Sequence, residues 1–400
     1  SSRSSRSSRS SRSRSRSSSA SSGTRSAEGC HFEWTAGETL NSQYKLLKLL
    51  GDGTFGRVIQ ARDLRNGGDV AIKVIRDVTR YTESAIIEAG ILKDILKADP
   101  QRASCCAIMY DSFMHKERYF CLVFEPLGVS LYDFLKANGF RGFLMQDIQV
   151  FTRDLMQALA FLHGQLNMTH TDLKPENILL NSMEPPTQVR FPREAEWRKS
   201  GTDRDLGPYN RPAKNRITLI DFGNATREDE HHSATINTRQ YRGPEVLLQA
   251  GWDESSDMWS AACILVELYT GDQLFASGGD LEHLALITRV IGELPQRLLD
   301  GASRPAREGC LLRPRASAAA GAPDSQWRLS WPERPFSRTT ERHVLSQRQT
   351  NEKRPLERQI AGRHRAFAAF AERLLHPEPK KRLRAVNALM HEFLSAELDE

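Results

Sequence analysis

No apolar run in the chain approaches the ~20 residues that a membrane-spanning helix needs, and no signal-type hydrophobic stretch stands near its start. A membrane partner is therefore not expected. Zinc-ligand spacing is missing as well: the six cysteines (Cys30, Cys105, Cys106, Cys121, Cys263, Cys310) form no CxxC or CxxH pair. Reduced thiols are the expectation, as in a cytosolic or nuclear protein, rather than a metal knot or a disulfide framework. Lysine is absent from the first 30 residues, where seven arginines face only Glu28. That imbalance equals the net charge of the whole chain, +6, so the remaining residues sum to zero. The chain begins at Ser1 rather than Met and is expected to be a fragment or a processed form.

The arginines lie in "SSRSSRSSRSSRSRSRSSSASSGTRS", a repetitive segment with almost nothing to bury. Residues 1–30 are thus expected to form a disordered Arg-Ser-rich tail. It reads either as a solvated basic linker or as an RS segment that contacts protein or RNA through Arg and is phosphorylated on Ser; the regularity of the repeat favours the second. From Tyr44 the texture changes. "YKLLKLLGDGTFGRVIQARD", "NGG" and "DVAIKVI" read as strand, loop, strand, turn and strand. Residues 81–97 show helical spacing through Ile87, Ile91, Leu92 and Ile95, and "YFCLVFEPL" reads as a strand. Helical patterns over 130–137, 146–163, 253–270 and 280–292 follow, so a β-rich part precedes an α-rich part in an α+β chain. Residues 183–215 and 300–340 lack periodicity and read as surface insertions.

The glycine string "GDGTFG" (Gly51, Gly53, Gly56) matches GxGxxG, a weak signal alone. A dinucleotide turn needs a helix directly after it; here the strand "RVIQARD" follows, and the next strand presents Lys73 in "VAIK". A glycine-rich hairpin covering phosphates, with a lysine on the third strand, is the other possibility beside a plain turn. Glu88 stands on the following helix. It either turns inward to hold Lys73 or is an ordinary exposed glutamate, the commoner fate. In "THTDLKPEN", Asp172 can accept a proton from an attacking hydroxyl, Lys174 can neutralise a transferring phosphoryl group, and Asn177 can ligate a metal. "LIDFGNA" then supplies Asp221 as a second metal ligand. Each string is short, but their order and their strand and helix contexts agree.

With these motifs in view, the stretch from about 44 to 395 resembles a eukaryotic protein kinase. More narrowly it resembles the LAMMER (Clk-type) dual-specificity kinases of the CMGC group, through "THTDLKPENILL", "DFGNATREDEHHSATINTRQYRGPEVLL" and "EHLALITRVIG". The last stands where that family has EHLAMMERILG: Glu282, His283, Leu284, Ala285, Arg289 and Gly292 match, and "LITR" replaces "MMER". The resemblance implies a two-lobed kinase fold, with residues 44–127 as the β-rich N-terminal lobe, a hinge near 125–127, and 128–395 as the mainly helical C-terminal lobe. It implies ATP and Mg²⁺ as cofactors. Val58 and Ala71 above and Leu179 below would sandwich adenine, Phe124 would be the gatekeeper, and Glu125 and Leu127 would supply hinge backbone groups. It further implies a Glu245–Arg382 brace, Asp257 as anchor of the catalytic loop, and His170 and Phe222 in a stacked internal spine.

Many kinases carry an arginine before the catalytic aspartate, neutralised by a phosphate on the activation loop. Thr171 stands there instead, so no cation beside Asp172 waits for a phosphate. An active enzyme is expected, with Ser233, Thr235, Thr238 and Tyr241 as candidate autophosphorylation sites. The resemblance implies SR-rich splicing-factor substrates, the protein's own tail as a substrate in cis, a weak or indirect tail contact with RNA, and a nuclear location with the cytoplasm as the alternative. Two other readings compete. An inactive kinase-fold scaffold acting through its RS tail would transfer no phosphate, and a small-molecule phosphotransferase would lack the segment from Asp221 to Glu245.

Overall fold

The computed structural model describes residues 31–191, 193, 207–313, 326–332 and 341–398. The Arg-Ser-rich tail lies outside the described residues, as do parts of both expected insertions.

Strands β1 (Thr39–Leu40), β2 (Tyr44–Gly53), β3 (Gly56–Asp63), β4 (Asp69–Ile75), β5 (Met109–His115) and β6 (Tyr119–Phe124) form one antiparallel sheet in the order β1-β2-β3-β4-β6-β5. Side chains alternate across it, as strand geometry requires. Leu46, Ile59, Ala61, Ile72, Val74, Cys121 and Val123 fill a small core with Phe32, Leu40 and Tyr119. Helix α1 (Thr79–Ala98) crosses between β4 and β5 and buries Ala85, Glu88, Ala89, Leu92 and Ile95. Of the expected row, Leu92 and Ile95 are buried and Ile91 is half-buried, but Ile87 is exposed, and Glu88 takes a place in the buried stripe itself.

The chain leaves β6 at Phe124 and continues through α2 (Leu131–Ala137) and α3 (Met145–Gln165) into a helical half. The helix Ser255–Thr270 is buried along nearly its whole length, as its all-round apolar sequence demands. It ends at Gly271, φ +84°, where a Cβ would lie 1.7 Å from the Phe140 carbonyl oxygen, so only glycine fits. One apolar cluster runs from Ala85, Leu92 and Leu122 through Cys106 and Met109 to Leu155, Trp259 and Phe367, joining the two halves. Arg382 donates to both Glu245 carboxylate oxygens at 2.8 and 3.0 Å. Among the described residues, all five cysteines are free thiols, and no helix is long and apolar enough to cross a membrane.

Both expected insertions contain built structure where they are described. Thr187–Val189 pairs with Tyr209–Arg211, and Phe191 stacks on Tyr209 at 4.8 Å in a small buried cluster. In the second, the helix Arg304–Cys310 leads into a pairing of Leu311–Leu312 with Arg328–Leu329, with Ala306, Cys310 and Leu311 buried. Their apolar residues are too few and too unevenly spaced for a periodicity to reveal them.

Candidate active site

Strand register gathers the upper half of the site. Val58 lies opposite Lys73, and Ala71 opposite Phe124. Ala71 and Lys73 are two residues apart on β4, so all four side chains share one face. Leu179 faces them from the short strand Ile178–Leu180 of the helical half; it is half-buried while its neighbours are fully buried. The chain between the halves leaves the Glu125 carbonyl and the Leu127 N–H without partners among the described residues; the Glu125 N–H is already spent on the Ile108 carbonyl at 3.3 Å.

The three glycines divide into two kinds. A Cβ at Gly56 would strike the Val74 carbonyl oxygen at 2.2 Å, so the fold itself dictates that glycine. At Gly51 and Gly53 a Cβ would meet nothing closer than 3.8 Å. Internal packing therefore does not explain those two, and space for an approaching anion does.

Lys73 donates to Glu88 at 2.8 and 3.0 Å and lies 3.8 Å from the Asp221 carboxylate. Burial works against its ammonium, but the charges of Glu88 and Asp221 outweigh burial and hold the Lys73 pKa above its usual value. The lysine stays charged, with α1 drawn against the sheet.

Below, the buried Asp257 accepts from the His170 and Thr171 amides at 2.8 and 3.0 Å and meets His163 Nε2 at 2.9 Å. This fixes the loop that carries Asp172. One Asp172 oxygen accepts from Lys174 at 2.5 Å and the other from Thr238 Oγ1 at 2.8 Å. Asn177 Nδ2 donates to the Asp172 carbonyl at 3.0 Å. With its NH₂ committed, Asn177 offers only its oxygen to a cation. His170 and Phe222 make edge contact with ring centroids 5.4 Å apart. Asp221, two residues past the end of the strand Ile217–Leu219, sits at φ +67° with a carboxylate one-third exposed.

No group of three or more His, Cys, Asp or Glu side chains among the described residues could hold a metal alone. Asp221 and the Asn177 oxygen are two hard donors, a set that suits a divalent ion retaining water and phosphate ligands and does not suit a closed structural site.

Several contacts have no sequence signature. Thr171, at φ +66°, donates through Oγ1 to the Asn224 carbonyl at 2.7 Å. Its own carbonyl accepts from both Asn237 N and Asn237 Nδ2, each at 2.9 Å. Arg227 of the same segment pairs with Asp94 on α1 at 2.6 Å. Two candidate autophosphorylation sites are committed to structure: Tyr241 is buried with its hydroxyl donating to Glu267 at 2.8 Å, and Thr238 is bound to Asp172. Ser233 and Thr235 are exposed.

A strand-rich half with a Lys–Glu pair, closed over a helical half that presents Asp172, Asn177 and Asp221, defines a protein kinase. The chain belongs to that family: the protein kinase domain matches residues 44–394. Within it, the chain is a LAMMER (Clk-type) kinase of the CMGC group. It is 36% identical to serine/threonine-protein kinase AFC3 of Arabidopsis thaliana over 371 residues, 92% of this chain and 85% of that one. It is 34% identical to dual specificity protein kinase CLK2 of Homo sapiens, over 92% of this chain and 67% of CLK2. The crystal structure of the kinase domain PF14_0431 superposes with a TM-score of 0.78 at 36% identity, covering 91% of this chain and 98% of that one.

The signature helix Asp280–Ile291 has a visible task. Glu282 accepts from Ser346 Oγ and from the Gly278 amide, while Arg289 donates to the Asn351 and Lys353 carbonyls. The matching residues thus hold the helix Glu341–Glu352. In "LITR", Leu286 and Ile287 remain buried apolar residues, so the departure keeps the packing face.

Proposed function

We propose that this kinase transfers the γ-phosphoryl group of ATP to serine and threonine hydroxyls of Arg-Ser-rich proteins, and does so without a phosphate on its activation segment. The observation that carries the second part is Thr171, whose hydrogen bonds fasten both ends of that segment to the catalytic loop. An arginine there would need a phosphate to achieve the same order.

Asp172 orients the acceptor hydroxyl and takes its proton; its two oxygens are already aimed by Lys174 and Thr238. Lys174 and Lys73 place positive charge where phosphoryl oxygens gain negative charge. Gly51, Gly53 and Gly56 bring backbone amides over the phosphates. Val58, Ala71, Phe124 and Leu179 enclose the base, with the Glu125 carbonyl and the Leu127 N–H as its hydrogen-bonding edge. Asp221 and Asn177 would hold Mg²⁺, which when bound screens the phosphate charge. Positioning and electrostatics supply most of the rate in this reaction class.

The protein's tail has the composition of the proposed substrates. Each phosphate adds about −1.5 to −2, so three or four would offset the tail's excess charge and weaken any contact it makes with RNA or acidic surfaces. The exposed Glu228-Asp229-Glu230 run is one such surface, although Glu230 also folds back to accept from the Arg227 amide at 2.9 Å. Action in the nucleus follows from this substrate class and is part of the proposal.

Incorporation of labelled phosphate from ATP and Mg²⁺ into an SR-repeat peptide tests the reading, using bacterially made, phosphatase-treated protein. Transfer starts without a lag and falls about 10²- to 10⁴-fold in Asp172→Asn. Thr171→Val lowers the initial rate about fivefold, the worth of a lost hydrogen bond. A lag in the wild type sinks the Thr171 argument, and no transfer at all leaves an inactive scaffold.

A further inference from the structure

The kinase match begins at residue 44, yet Phe32 and Trp34 before it already pack on the sheet. Phe32 is 4% exposed, its ring edge-on to Tyr119 at 5.2 Å and to His115 at 5.7 Å. It occupies the outer core of the sheet together with Leu40, Tyr44 and Leu46. Its backbone does something else. The Phe32 carbonyl accepts from Arg57 Nη1 at 2.8 Å. Arg57 Nε in turn donates to Asp52 at 3.1 Å, and His31 Nδ1 lies 3.6 Å from the other Asp52 oxygen.

Asp52 and Arg57 are cross-strand partners in the β2–β3 hairpin, directly beneath Gly53 and Gly56 at its tip. Glycine makes that tip easy to fray, because it loses more backbone freedom on ordering than any other residue. An exposed cross-strand ion pair alone holds such a tip weakly. Here the guanidinium is gripped from a second direction by a carbonyl whose position is fixed by a buried ring. On the other side, the Phe55 carbonyl accepts from the Arg76 amide at 2.9 Å, and the Phe55 ring meets Tyr81 of α1 at 5.1 Å. The loop is thus tied at both flanks, and one tie comes from outside the kinase match.

We infer that His31–Trp34 is a strap that positions the phosphate-covering loop through Arg57, so that nucleotide affinity depends on the segment immediately following the Arg-Ser-rich stretch. This rests on the kinase reading of the site. Arg57 and Phe32 are positioning residues: each acts through the backbone at Gly51 and Gly53.

The test uses the full chain, a fluorescent ATP analogue with Mg²⁺, and amide hydrogen exchange across residues 51–57 without nucleotide. Phe32→Ala and Arg57→Leu each weaken binding about three- to tenfold, raise KM for ATP with little change in kcat, and speed exchange across the loop severalfold. The double variant binds no more weakly than the worse single one, because both break the same chain of contacts. Phe32→Leu restores most of the affinity. Arg62→Leu, which removes the Arg62–Asp69 pair at 2.5 Å at the far end of β3, leaves binding and loop exchange unchanged. Arg57→Leu keeps the Phe32 anchor, so its result stands even where Phe32→Ala loosens the sheet. Multiplying effects in the double variant, or wild-type affinity and exchange in Arg57→Leu, overturn the strap while leaving the kinase reading intact. No nucleotide binding by the wild type overturns the kinase reading and the strap with it.

Discussion

Lys73–Glu88 and Arg382–Glu245 are both cation–carboxylate pairs that fasten a helix to a neighbouring segment, in opposite halves of the molecule. Arg382 and Glu245 are 0% and 1% exposed, with both carboxylate oxygens engaged. Arg382 also donates to the Ser255 and His376 carbonyls and lies over the Trp259 ring at 5.2 Å. Every face of that guanidinium is in use. Lys73 is 23% exposed, and its ammonium meets Glu88 on one side only, with Asp221 beyond hydrogen-bond range at 3.8 Å. The saturated pair is architecture. The pair with a spare donor is the one that can meet a phosphate.

Three measurements sharpen or break that contrast. Lys73→Met lowers phosphoryl transfer by about 10²-fold or more, as loss of a charge-stabilising donor does, and moves the thermal midpoint less than any change at Arg382. A large loss of stability in this variant would make Lys73 a second structural brace. Arg382→Met, which strands a buried carboxylate, costs about 3–5 kcal/mol in urea unfolding; replacing Glu245 by Leu in the same chain returns part of it. No recovery in that double variant would mean that the guanidinium matters through Trp259 and the carbonyls rather than through its partner.

The smallest effect concerns a third buried carboxylate, one with no cation. Burial pushes the Glu267 pKa from 4.5 up to about 7, opposed by the hydrogen bond that Tyr241 donates. Between those values the folded protein keeps a proton that the unfolded chain has released. Stability therefore falls as pH rises from about 4.5 towards 7 and levels off above it. Glu267→Gln removes this contribution, so chemical denaturation across that range shows a shallower slope in the variant. An unchanged slope would mean that Glu267 is ionised throughout.

What the sequence disclosed follows the same division between chemistry and scaffolding. Lys73, Asp172, Asn177 and Asp221 are legible because the reaction fixes both their residue types and their spacing. Glu88 is legible only through Lys73: helical periodicity places Leu92 and Ile95 correctly in the buried stripe but adds Ile87, which is exposed, and gives no sign of Glu88. Tyr241 shows the opposite limit. A hydroxyl in the activation segment announces that it can be phosphorylated and says nothing of whether it can be reached. The hydrogen bonds of Arg57 to the Phe32 carbonyl and of Asn237 to the Thr171 carbonyl are silent in sequence, since a backbone acceptor is present at every residue.

The double fastening at Thr171 has a consequence for variation over time. From Asn224 to Asn237 the chain makes a loop whose two feet stand on one residue. Lengthening a loop that is already closed costs little, because closure entropy grows only with the logarithm of its length. The exposed stretch around Ser233 and Thr235 can therefore acquire insertions, charges or new recognition motifs while the geometry at Asp172 stays quarantined from them. Its own anchor is Trp252, which stacks on His232 at 4.1 Å and donates to the Ser233 carbonyl at 2.8 Å, away from Asp172 in the chain of contacts.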